Sequence, residues 1–418
     1  MAAAVAVTGL ALTAVVAAPA GGAWTTTVPV SASGWTGQDS PTVAVDRQGD
    51  ALLVWAACDA AASGCYHQVQ ARRRTAAGAL GPILTLSPLG SSSAWPQVAS
   101  DDDGDSVVVW EQDGRVVGRR VSSTGALGTL RTLSSTSAGN PAVVIDPLGR
   151  ALAVWSEVDA GFRTKGRFIY RDGTVGSELS LGSGAADQPS VGIDRTGTAV
   201  VAWTEGIYRV VARRVKPGSI SATKVFTSSY AGVSYGRVSV GVDRDGDAIV
   251  SFLRHKEGER SYLWARRWTR TGSLGGVLGL APSTDNLTFY HALGTDLEGD
   301  SMVIWSRRTS QTRTDVFGRR IYRTGALGAI TALGVGDRPA VALDDDGNGM
   351  AVWHSPGPPY DANVVYARTI STTGVFSGGV RLSLDGRVPR VDSSPGGRFS
   401  VIWQQKSYPY RINARIGP

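Results

Sequence analysis

PTVAVDRQGDALLVW, residues 41–55, is the stretch whose reading decides the fold. It holds an alternating run from Thr42 to Val45, a turn Asp46-Arg47-Gln48-Gly49, and a second run, Ala51 to Trp55, that is apolar at every position. β-Branched and aromatic residues on both sides of a tight turn make a hairpin. Asp at the first turn position can accept bonds from backbone N–H groups two residues on, and Gly at the fourth tolerates the left-handed conformation of a type I turn with a bulge. The second run suits a strand covered on both faces.

The same phrase is written eight times. Its glycines are Gly49, Gly104, Gly149, Gly197, Gly246, Gly299, Gly347 and Gly397, and six residues after each stands Trp55, Trp110, Trp155, Trp203, Phe252, Trp305, Trp353 and Trp403. The turn Asp recurs at Asp101, Asp146, Asp194, Asp243, Asp296 and Asp344, with Ser394 in the eighth unit. Pro41, Pro96, Pro141, Pro189, Pro339 and Pro389 mark the start of strand a, where a missing N–H does least harm. After a variable gap comes a small residue followed by Arg, at Arg72, Arg119, Arg167, Arg213, Arg266, Arg319, Arg368 and Arg415. A last apolar stretch, such as Gly78 to Leu86, supplies strand d. A four-strand unit of about fifty residues in eight copies specifies an all-β fold, an eight-bladed β-propeller of four-stranded antiparallel blades.

The eighth unit stops after strand c, Ile412 to Ile416, and the strand it lacks stands at the other end of the chain, Gly22 through Val30. The N-terminal strand is therefore expected to close the last blade and remove two exposed sheet edges. Residues 1–20 carry no charge and end Ala18-Pro19-Ala20, which reads as a cleaved secretory signal peptide, with an uncleaved anchor as the alternative. Residues 21–418 then form a single propeller domain, secreted, with no membrane span in the mature chain. Cys58 and Cys65 share one gap of the first unit, and in an exported protein a disulfide between them is expected.

The hairpin around Asp-x-x-Gly followed by an apolar strand resembles the WD40-like repeats of TolB-type propellers, and the chain resembles secreted bacterial β-propeller repeat proteins. That resemblance implies the fold and no particular activity, because propellers host enzymes, lectins and scaffolds alike. Sialidase Asp-boxes place their aromatic three residues after Gly; here it is six, so no sialidase catalytic residue is carried over.

Of the 42 basic residues only five are Lys, and the formal net charge is +7. Eight of the arginines occupy one repeated slot, spreading charge around the ring, and no basic cluster interleaves with stacking aromatics; nucleic acid is not an expected partner. The repeated Arg is expected to bond the turn Asp or a nearby backbone carbonyl. Asp243-Arg244-Asp245-Gly246-Asp247 echoes a calcium loop, but its Gly is at the fourth position and no Glu follows in register. The four His show no metal spacing, and no nucleophile elbow, P-loop or dinucleotide motif occurs, so no metal or cofactor is expected.

In a propeller the a–b and c–d turns share one face and the b–c and d–a loops the other. Here the first set is nearly uniform and the second varies in length, which marks the second as the working face. It should carry Trp35, Trp95, Tyr230, Tyr235, Phe289, Tyr290, Tyr360, Tyr408 and Tyr410, aromatics suited to stacking on sugars or anchoring a protein. Just past strand b, Glu111, Glu157 and Glu205 form an acidic arc opposite Arg254, Arg307 and His354. The reading is a non-catalytic, monomeric binding propeller for an extracellular, cell-surface glycan or protein. The alternative is a carbohydrate-active hydrolase or lyase on the same face, with Glu111, Glu157 and Glu205 as its carboxylates.

Overall fold

The computed structural model describes residues 23–32, 37–59, 66–158, 161–183, 189–228, 232–256, 261–281, 286–310, 312–357, 362–408 and 410–418. The expected signal peptide, Trp35, Cys65, Tyr230, Tyr360 and the side chain of Phe289 lie outside the described residues. The Cys58–Cys65 pairing therefore does too, although Cys58 itself is buried at the end of a strand.

Eight antiparallel sheets form the ring, seven with their strands in chain order a-b-c-d and the eighth with its strand d drawn from the N-terminal end. In the first blade these are Gly37–Val45, Ala51–Asp59, Tyr66–Arg74 and Leu80–Thr85. The fourth blade departs slightly: its outer strand is broken into Ser219–Ile220 and Lys224–Val225, both paired to strand c. The a–b turns form as their residues dictate. Asp46 Oδ1 accepts from the N–H of Gln48 (3.0 Å) and of Asp50 (2.9 Å), and the same pair of bonds recurs at Asp101, Asp146, Asp194, Asp243 and Asp344. In the eighth blade the Ser394 hydroxyl accepts from the Arg398 N–H instead.

Strand b is buried on both sides, and the core is divided among the eight blade interfaces. Leu52 and Val54 face Val108 and Trp110 of the second blade, while Leu53 and Trp55 face Ile402 and Ile412 of the eighth. The ring closes as expected. Val28 and Pro29 pair with Ala414 and Asn413, and the N–H groups of Thr25 and Val30 donate to the carbonyls of Ile416 and Ile412. This supplies the eighth blade with its fourth strand and covers Val30 in the closing interface.

In the first, second, fifth and sixth blades the repeated Arg bonds backbone carbonyls across the blade boundary, whereas Arg213 donates to Thr223 Oγ1 and Arg167 approaches Glu178. Arg119 Nε donates to Gly128 O (2.7 Å) in its own blade and Nη1 to Leu86 O (3.0 Å) in the preceding one. Arg266 does the same with Gly275 O and Phe226 O, both at 2.8 Å, and Arg72 with Gly81 O and Val30 O. The turn Asp is bonded by the next residue instead. Arg320 Nη1 donates to Gly347 O (2.7 Å) on the following blade's turn, and Nη2 to Asp296 Oδ2 (2.9 Å). Arg120, Arg214 and Arg267 reach the corresponding glycine carbonyls, Gly149, Gly246 and Gly299. The turn glycines answer a second demand here. Gly347 has φ +86°, and a Cβ on it would stand 2.5 Å from Asp296 Oδ2 of the neighbouring blade.

Two measurements check this architecture. A chain lacking residues 23–31 should melt at a far lower temperature than the chain that retains them, since the eighth blade loses a strand and Val30; an unchanged melting curve would count against closure. Arg320→Leu leaves the buried Asp296 without its cation. It should lower the unfolding free energy by about 3–5 kcal/mol in urea titration, and a loss below about 1 kcal/mol, the range of a surface pair, would show the pair to be incidental.

Candidate functional site

Strand a begins with a bulge in nearly every blade. The residue before the Pro position takes a left-handed backbone: Ser40 (φ 49°), Trp95 (50°), Asn140 (54°), Arg237 (38°), Arg338 (50°) and Val388 (50°). The a–b ladder slips in register at each of these points. Pro can occupy such a position because it has no N–H to lose from the ladder. A non-glycine residue at positive φ costs on the order of 1 kcal/mol or more, so six on one rim is a sustained expense, and each turns a side chain toward the ring axis.

Two cavities lie along that axis. One, about 590 Å³, is lined from the first, second, third, seventh and eighth blades, among others by Asp39, Trp95, Gln97, Asn140, Arg338, His354, Arg387 and Arg390. The other, about 370 Å³, is lined from the fourth to eighth blades, among others by Arg237, Tyr290, His291, Arg338 and Arg390. Arg338 and Arg390 belong to both, so the two adjoin along the axial channel. The first contains the starts of strand a, the end of strand b at Gln404 and the start of strand c at Asn363, and so opens on the face of the variable loops. The uniform turns occupy the other face, where c–d turns donate to the residue after the turn Gly, as Arg323 N–H does to Asp300 Oδ1 (2.7 Å).

The channel is basic. Arg237, Arg338, Arg387 and Arg390 line it, against one carboxylate, Asp39. Two guanidinium groups approach the Tyr290 ring, with Arg237 Cζ 4.5 Å and Arg338 Cζ 5.0 Å from its centroid. Arg390 exposes surface to the channel yet is walled in by protein; this enclosure, and the charges of Arg338 and Arg237, lower its affinity for a proton, while Tyr290 acts in the opposite sense. Burial, reinforced by Arg237, pushes His291 down to about 4, and its Nε2 shares a hydrogen bond with Ser251 Oγ (3.1 Å). Burial, opposed by Asp337 and reinforced by Arg338 and Arg387, holds His354 at about 4. Both imidazoles are thus neutral at pH 7.

Of the residues singled out from sequence, the channel gathers Trp95, Tyr290 and His354. Trp95 is 54% exposed at the mouth. Tyr408 is 76% exposed and meets Tyr410 edge-on, outside both cavities. Tyr235 is buried rather than offered to solvent: its ring packs on Phe252 at 5.9 Å and its hydroxyl donates to Ser228 O. Arg254 lies over Tyr262 and Trp264, and Arg307 over Phe317, each on its own blade's strand c. Glu157 and Glu205 are held by Lys165 (3.8 Å) and Arg209 respectively. Burial raises the Glu111 carboxyl above its ordinary range. None of the three lines either axial cavity. Sequence reading missed Arg237, Arg338 and Arg390; reading the residue before the Pro position as one column around the ring would have found the first two.

The depressed histidines carry a pH signature. Below about 6.5 the unfolded chain takes up protons that the folded channel refuses, so His291 and His354 erode stability as pH falls from about 6.5 toward 4 and contribute nothing above that window. The C2-proton shifts of both should stay flat in NMR from pH 8 to 5; titration of either near 6.5 would contradict the enclosed channel.

No known protein family matches the chain, and no curated protein does. Solved structures do. The chain is similar to a polysaccharide lyase of family PL25, an ulvan lyase bound to a GlcA(1-4)Rha3S saccharide, with TM-score 0.54 and 10% identity over 86% of this chain and 98% of that one. It is similar to a protein of unknown function from Dyadobacter fermentans, with TM-score 0.50 and 11% identity over 96% and 99%. It is also similar to the β-propeller domain of the trilobed protease from Pyrococcus furiosus, with TM-score 0.49 and 10% identity over 84% and 98%. At such identities the likeness is one of fold.

Proposed function

We propose that this chain is an exported, monomeric, non-catalytic propeller that binds a cell-surface glycan or protein through its variable-loop face, with the axial mouth as the point of contact. An exported chain is also the setting in which Cys58 and Cys65 pair. The observation that carries the binding reading is the mouth itself: an exposed Trp95 held in a left-handed backbone beside a polar cavity of about 590 Å³. An aromatic ring next to polar side chains offers an apolar face for a sugar ring or a partner's side chain, with hydrogen-bonding groups around it. A carbohydrate-active hydrolase or lyase on the same face is the second reading. One observation favours it: burial raises the Glu111 carboxyl, as a general acid requires. Against it, Glu157 and Glu205 are engaged by cations of their own blades.

Glycan-array binding by the purified protein, repeated with Trp95→Ala, tests the proposal. Loss of a central stacking aromatic should weaken binding roughly thirtyfold, with no depolymerisation of a polysaccharide panel. Depolymerisation that disappears in Glu111→Gln would reverse the ranking of the two readings.

A further inference from the structure

Three guanidinium groups converge on the axis from three different blades. Arg237 and Arg338 both lie within 5.0 Å of the Tyr290 ring centroid, and Arg390 lies close enough to both to be repelled by them. Arg390 donates to the carbonyl of Pro389 (3.0 Å), and among the described residues neither it nor Arg338 has a carboxylate partner. Arginines at the blade boundaries are treated differently. Arg320 is spent on Asp296 and Gly347 O, and Arg119 on two carbonyls. Like charges gathered in an enclosed space repel one another more than they would in bulk water. A bound anion removes that repulsion and takes up the guanidinium donors, which fit the oxygens of carboxylates and sulfates. Among the described residues that line the two cavities, Asp39 is the one carboxylate.

Resting on the glycan branch of the proposal above, we infer that the axial channel binds the acidic group of an anionic polysaccharide, a carboxylate or sulfate, on Arg338, Arg390 and Arg237. Trp95 at the rim then stacks on a neighbouring sugar, and Gln97 and Asn140 beside it meet hydroxyl groups. The exposed aromatic and neutral amides favour a glycan over an acidic polypeptide, which would need more cations along its path than this rim provides.

Calorimetric titration of the folded protein with polygalacturonate, dextran sulfate, neutral dextran and polyglutamate decides the matter; the first two separate carboxylate from sulfate. The expected result is binding of one or both acidic polysaccharides, weakened by salt, and at least about tenfold tighter than neutral dextran. Arg390→Gln and Arg338→Gln should each lose about tenfold or more of that affinity, while Arg47→Gln, on the turn face, should not. Without ligand, Arg390→Gln should melt at the same temperature as the parent or higher, because a repelling charge has gone; a residue with a merely structural role would melt lower. Neutral dextran bound as tightly as the acidic polymers, and unaffected by Arg390→Gln, overturns the inference and leaves glycan binding standing. Polyglutamate bound as tightly, with the same sensitivity to Arg390→Gln, overturns it in favour of an acidic polypeptide. Failure of every polyanion to bind the folded parent chain also overturns it.

Discussion

Every strand b in this ring is apolar on both faces, and that single constraint dictates the rest. A sheet buried from one side can end in solvent; a sheet buried from both needs a neighbour on each. Leu53 and Trp55 of the first blade would lie open in a linear array, as would Ile402 and Ile412 of the eighth. Packing them on each other closes the circle, and Thr25 to Val30 fastens it with backbone bonds to the last strand. Closure gives the last blade its outer strand, so only the short outer edges of the blades remain to template pairing with another chain. Arginine forks then cross the blade boundaries, from Arg119 backward to Leu86 O and from Arg320 forward to Gly347 O.

Much of this was legible in the chain because the residues that repeat do local chemistry. Asp46 and Gly49 close the turn they sit in, and Trp55 fills the interface beside its own strand. What was not legible depends on how one blade stands against the next. The small-Arg pair announced a structural arginine, yet its carbonyl partner, Leu86 O for Arg119, is 33 residues away and is set by blade stacking. The dipeptides Arg119-Arg120, Arg213-Arg214, Arg266-Arg267 and Arg319-Arg320 were equally visible, but only the stacking shows that the second arginine, not the first, meets the turns.

The candidate site was half legible for a related reason. Trp95 and Tyr290 stand in the bulges of their strands a and His354 in the second half of its strand b, and an aromatic ring or an imidazole is conspicuous in any pattern. Arg338 and Arg390 stand within strand a, where alternation reads as one face in and one face out. The bulge before the Pro position breaks that alternation, so the register seen in Ala340 opposite Val352 does not extend to Arg338. Tyr235 shows the converse: it lies on the loop side of its bulge and looks like a surface aromatic, but pairs opposite Arg254 and turns its ring into the core.

The two faces answer to different rules, which explains why variation collects on one of them. On the turn face each unit must fit the next, as Gly347 fits Asp296 with no room for a methyl group, so departure there disturbs two blades at once. At the axial rim the left-handed bulge repeats while its side chain does not: Ser40, Trp95, Asn140, Arg237, Arg338 and Val388 share one backbone conformation and no chemistry. A strained conformation kept six times cannot be serving any one of those side chains alone. It serves to aim whatever residue stands there at the axis, and unlike residues on one repeated backbone frame are what the proposed binding role requires and what a packed core would not tolerate.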